Sequence, residues 1–111
     1  MKRVYTVTAR LPREEVFGLS SQMRRSAVSV PSNIAEGQGR TTRGEFYQSL
    51  GHARGSLYEL ETQIVIATEL GYVSVEQSET LLLDAAELGR ILNALMSSVK
   101  SSAKVLRPDQ N

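Results

Sequence analysis

Ser20-Ser21-Gln22-Met23-Arg24-Arg25-Ser26-Ala27-Val28-Ser29-Val30-Pro31-Ser32-Asn33-Ile34-Ala35-Glu36-Gly37-Gln38-Gly39-Arg40 is the stretch on which the fold turns. Leu19, Met23, Ala27, Val30 and Ile34 fall 4, 4, 3 and 4 residues apart, the spacing of one helix face. Pro31 sits inside that pattern. An interior proline removes one backbone hydrogen bond and crowds the preceding turn, at a cost of roughly 3 kcal/mol. A short chain keeps such a residue where the kink or its neighbours are useful. The reading is a Pro-kinked second helix over about 19–36, closed by Gly37-Gln38-Gly39.

Upstream, Val4, Val7 and Leu11 mark a short first helix over about 2–10, stopped by Pro12. Downstream, Thr42-Arg43-Gly44-Glu45 reads as a capping box, in which hydroxyl and carboxylate satisfy orphan amides reciprocally. Phe46, Leu50, Ala53, Leu57, Leu60, Ile64 and Ala67 then repeat at 4, 3, 4, 3, 4, 3, and Gly71 stops this third helix. A second box, Ser74-Val75-Glu76-Gln77, opens a fourth helix. Its stripe is Leu81, Ala85, Leu88, Leu92, Leu95 and Val99, fading near Leu106 before Pro108. No alternating strand pattern competes, and no repeat or low-complexity segment interrupts. Heptad-like stripes joined by short connections predict an all-α, antiparallel up-down-up-down four-helix bundle, one domain over 1–111. The third and fourth helices would each run roughly 40 Å and the first only about 15 Å. The first helix therefore leaves part of its groove uncovered, which predicts an oligomer or an open bundle end.

The 111 residues suit one small aliphatic core with few aromatics and no Trp. No cysteine is present, which excludes a disulfide framework and thiolate metal sites. No apolar run reaches signal-peptide or membrane-span length, so a cytoplasmic protein without membrane contact is expected. Net charge is only +1, but it is segregated. Residues 1–55 hold nine Lys/Arg against four Asp/Glu, residues 56–99 hold Arg90 against seven acids, and residues 100–111 hold three bases against Asp109. Such segregation suits a basic binding patch or charge matching between subunits.

Several segments carry a resemblance. They are 17–37, Glu45-Phe46, Gly55-Ser56-Leu57-Tyr58-Glu59-Leu60-Glu61-Thr62-Gln63 and Leu70-Gly71-Tyr72. Over about residues 4–100 the chain resembles the four-helix-bundle proteins encoded in intervening sequences of bacterial 23S ribosomal RNA genes. It is also similar to the accessory variability protein of diversity-generating retroelements. The resemblance implies a ring-like homopentamer, no established enzymatic activity, and an expectation of RNA or DNA binding. The chain departs from the family at its start, where the usual first helix is several turns longer.

Catalytic chemistry finds little purchase. Gly37-Gln38-Gly39-Arg40-Thr41-Thr42 lacks a preceding strand and a Gly-Lys-Ser/Thr ending, and reads as a helix stop and turn. A di-iron site needs two Glu-x-x-His pairs, but His52 is the lone histidine and position 49 is Ser. No Ser or Thr has a recognisable base. Glu36, Glu59 and Glu61 are read as ion-pair partners of Arg24, Arg25 or Arg54. No enzyme, cofactor or metal is expected.

Two surfaces remain. The second helix carries a polar stripe, Gln22, Arg25, Ser29, Asn33 and Glu36. Arg25, Ser29, Asn33 and Glu36 are expected at a subunit interface, with Ser29, Ser32 or Asn33 serving the Ala27 carbonyl that Pro31 leaves without a donor. The bundle topology also gathers bases at one end: Lys2, Arg3, Arg40, Arg43, Lys100, Lys104 and Arg107. Arg40, Arg43, Lys100, Lys104 and Arg107 are the candidate nucleic-acid contacts. No interleaved aromatics are read there, so binding by charge and shape is expected. The alternative is a protein–protein adaptor that docks a partner helix beside the short first helix.

Overall fold

The computed structural model describes residues 2–15, 18–40 and 42–109, with side chains described as far as Ser101. The elements are α1 (Lys2–Thr8), a 3-10 turn (Arg13–Glu15), α2 (Leu19–Gln38), α3 (Arg43–Glu69) and α4 (Val75–Asp109). They form an all-α four-helix bundle in a rod of 58 × 23 × 18 Å. α3 is the central element, with α2 on one flank and α4 on the other, and α1 bridges α2 and α4 at one end.

Gly71 turns the chain between α3 and α4. Its φ of +79° is a region where side-chain-bearing residues are strained. Its N–H bonds Thr68, and the next N–H, of Tyr72, bonds Ala67. The two helices therefore run antiparallel, and their register is visible in pairs. Gly51 faces the methyl of Met96, Arg54 bonds Asn93, and Gly89 faces Leu57.

The Ser74 box forms both of its bonds: Gln77 N–H to the Ser74 hydroxyl, and Ser74 N–H to the Gln77 amide oxygen. At the start of α3, the Thr42 hydroxyl accepts from Glu45 N–H. α2 has no side-chain cap at Gly18; Glu15 of the preceding turn accepts from Leu19 N–H instead. The Glu15 carboxylate also acts on Tyr72. Partial burial first, then the hydrogen bond and charge of Glu15, hold the Tyr72 phenol above its ordinary pKa of 10.0.

The core has two compartments. Near α1, Val4, Val7, Leu11, Met23, Ile64 and Leu81 pack together. Beyond α1, Val30, Leu50, Leu57, Leu92 and Met96 pack without it. Beyond α1 the core is only partly covered, as the short first helix predicts. Val30 and Leu92 are buried, but Ile34, Phe46, Leu88 and Leu95 are half-buried, Ile91 on the same stretch of α4 is 56% exposed, and α2 and α4 make no close backbone approach among the described residues. Small residues at the α3–α4 seam, including Ala53, Ala85 and Gly89, let those two helices approach closely.

Helix ends differ from the sequence reading in two places. α2 continues through Gly37 to Gln38, and α4 continues through Pro108 to Asp109. Gly37 is therefore a packing residue rather than a stop. A Cβ there would lie 2.8 Å from both the Phe46 ring and the Ser49 Cβ of α3. Pro31 lies within an otherwise continuous α2. Asn33 does not serve the Ala27 carbonyl. Its amide donates to the Ser29 carbonyl (2.8 Å) and the Ser29 hydroxyl (2.9 Å), because one turn back along the helix is within reach of a short side chain.

Candidate nucleic-acid interface

The antiparallel register brings the end of α2, the start of α3 and the last third of α4 to one end of the rod. Arg40, Arg43 and Lys100 lie there, all exposed. Arg40 is engaged by Glu36 one turn before it. Arg43 and Lys100 are in no ion pair among the described residues. The α4 backbone carries Lys104 and Arg107 onward from Lys100, but their side chains lie outside the described residues.

Lys2 and Arg3 do not join this end. α1 is only 7 residues long, and Arg3 pairs with Asp84 at 2.9 Å, far down α4 from Lys100. A helix of about 10 Å cannot reach the tip of a 58 Å rod, whatever its direction.

The polar stripe of α2 is largely occupied within the subunit. Ser29 and Ser56 of α3 share a hydroxyl–hydroxyl bond of 2.8 Å, and Asn33 caps that pair. The expected pairing of Glu36, Glu59 and Glu61 with Arg24, Arg25 or Arg54 is not found among the described residues. Arg24 donates to the Thr8 hydroxyl and stacks 5.1 Å over the Tyr5 ring, while Arg54 donates to Asn93. Arg25 and Glu59 instead line a polar hollow of about 270 Å³ between α2 and α3. Gln63, 6% exposed, also lines it, and its amide oxygen has no partner. His52 is exposed beside a second polar hollow with Asn33, Glu36 and Glu45. Among the described residues no three His, Asp or Glu side chains converge as a metal site would require.

The other flank of α3 carries a feature missed in the sequence. Arg43, Tyr47, Arg54 and Tyr58 are spaced 4, 7 and 4 residues apart, which puts them on one helix face. Tyr47 is 36% exposed and Tyr58 52%. The register set by Arg54–Asn93 places Lys100 opposite Tyr47, and Arg90 beside Gly89 opposite Tyr58. A Cβ on Gly55 would meet nothing within 4 Å. The outer face of the α3–α4 seam is thus basic and aromatic. One turn further from the tip, at Glu61 and Glu87, it becomes acidic. The spacing was legible, but the apolar stripe of α3 drew attention to its opposite edge.

No helix among the described residues is long and apolar enough to cross a membrane. No curated protein matches the chain. A 1.70 Å crystal structure of a protein with unknown function from the S23 ribosomal protein family of Bacteroides thetaiotaomicron is similar, with a TM-score of 0.74 and 25% identity over 83% of each chain. The family profile described as 23S rRNA-intervening sequence protein matches residues 1–94. With that match over most of its length and this fold, the chain belongs to the 23S rRNA-intervening sequence protein family.

Proposed function

We propose that the protein is a non-catalytic, homo-oligomeric helical bundle that binds RNA or DNA phosphates through its basic end. Arg43 and Lys100, with Arg40 beside them, form the core of that surface, and Lys104 and Arg107 extend it along α4. The observation that carries the reading is the meeting of three helix ends with exposed Arg43 and Lys100, neither in an ion pair among the described residues. A pentamer follows from the family resemblance, and a ring would repeat the surface and multiply its hold on a polyanion. The α2–α3 seam around Arg25, Ser29, Asn33 and Glu36 is the proposed contact between copies. The unpartnered Gln63 oxygen in the same seam supports it, because a buried acceptor without a donor is costly.

The test is fluorescence anisotropy of labelled 20-nucleotide RNA and DNA across a salt series. Binding that weakens steeply with salt is expected, and joint Arg43→Gln and Lys100→Gln substitution should flatten the log–log slope by about one per charge removed. Flat anisotropy at low salt removes the reading.

One observation favours the adaptor alternative. A mainly apolar hollow of about 280 Å³ lies beside α1, between Val7 and Leu81, with Arg3 at its edge already held by Asp84. A partner helix there would be indifferent to the Arg43 and Lys100 substitutions.

A further inference from the structure

We infer that the outer face of the α3–α4 seam is a platform for single-stranded nucleic acid, with bases stacked on Tyr47 and Tyr58 and phosphates held by Arg43, Arg54, Arg90 and Lys100. The inference rests on the nucleic-acid reading above and adds the strand state, the path and the stacking residues.

Four observations converge on it. First, two tyrosine rings stand exposed on one helix face, eleven residues or about 16 Å apart. Exposed aromatic rings that large are not needed for the core, which packs without them. Second, each ring is flanked by cations from both helices. Arg43 lies one turn from Tyr47 and Arg54 one turn from Tyr58 on α3, while Lys100 and Arg90 lie opposite on α4. Third, Arg54 is held in place by its 2.9 Å bond to Asn93, so its guanidinium is positioned rather than free to wander. Fourth, Gly55 leaves open space on this face, where an added Cβ would meet nothing within 4 Å, so a flat base can approach the backbone there.

Charge alone does not discriminate strand state. Rings do: a duplex hides its base faces, whereas an open strand offers one at every step, and stacking on an aromatic tolerates any sequence. The acidic turn at Glu61 and Glu87 ends the platform, so the strand lies between the tip and Tyr58, over about 22 Å of α3.

The chain lacks Trp, so tyrosine emission is a direct readout of stacking. The probes are a 15-nucleotide oligouridine, a 15-nucleotide oligothymidine and a 15-base-pair DNA duplex, titrated into the full chain. Both single strands should quench tyrosine emission and bind more tightly than the duplex at equal salt. Joint Tyr47→Ala and Tyr58→Ala substitution should abolish the quenching and weaken single-strand binding by roughly tenfold or more, while duplex binding stays unchanged. Tyr47→Phe with Tyr58→Phe should keep the affinity, which separates ring stacking from any hydroxyl contact. The oligouridine and oligothymidine arms distinguish RNA from DNA as the preferred strand. Unchanged single-strand affinity in the double alanine variant overturns this inference and leaves the charge reading standing. Absence of binding to all three probes at low salt removes both.

Discussion

At the scale of single residues, Gly37 shows how narrow the fit between α2 and α3 is. A methyl group there would press on the Phe46 ring, which can move, and on the Ser49 Cβ, which is fixed to the α3 backbone. Overpacking of this kind costs about 1–3 kcal/mol. Gly37→Ala should lower the melting temperature measured by circular dichroism, and Gly39→Ala, whose Cβ would sit 3.5 Å from the nearest atom, should cost less. Tyr72 supplies a pH effect with a defined sign. Its folded pKa lies above the unfolded 10.0, so the folded state holds the proton more tightly. The stability this contributes is fully present below pH 10 and is lost as pH rises through the higher folded value. Urea midpoints should therefore fall above about pH 10, and less steeply in Glu15→Gln, which removes the neighbouring charge. Residue types also limited what was legible in sequence. Pro31 announced that something unusual happens in α2, yet Asn33's choice of the Ser29 carbonyl is a matter of local geometry that no spacing rule encodes.

At the scale of elements, the two caps and the heptad stripes made α3 and the start of α4 readable almost to the residue. Both stripes are strictly helical, and Gly71 needs a positive φ that few other residues adopt comfortably. Ser74 serves both halves of its box; Ser74→Ala should cost about 1 kcal/mol, read from urea denaturation, without altering the assembled mass. The run of α4 past Leu106 was not legible, because Pro108 reads locally as a terminator: its nitrogen donates no bond and its ring crowds the preceding turn. The short α1 was identified correctly, but the direction in which its first residues point was not. Arg3 follows Asp84, a partner 81 positions away that periodicity cannot reveal. The same limit hid the aromatic face: Tyr47 and Tyr58 share a face in any helix, but only the neighbouring α4 sets Lys100 and Arg90 opposite them.

At the scale of the whole molecule, the rod is electrically lopsided, with Arg43 and Lys100 at one end and Glu14, Glu15, Glu69, Glu76 and Glu79 toward the other. The proposed assembly through the α2–α3 seam makes a prediction of its own. Asn33→Leu removes the group that caps the Ser29–Ser56 bond and places an apolar side chain in a polar seam. Light scattering should then give a lower mass than for the parent chain; an unchanged mass together with an unchanged melting temperature would place the stripe against solvent instead.

The short first helix has a dynamic consequence. Seven residues cannot hold a helix by themselves in water, so α1 survives on Val4 and Val7 tucked under α2 and α4, one arginine stacked on a tyrosine, and one ion pair at the surface. It behaves as a stopper seated over one end of a seam that is only partly covered along the rest of its length. Amide protons of α1 should accordingly exchange with deuterium well before those of α3, and the opening should bare only the compartment around Met23 and Leu81, leaving the compartment around Leu50 and Leu92 and its basic lip unchanged.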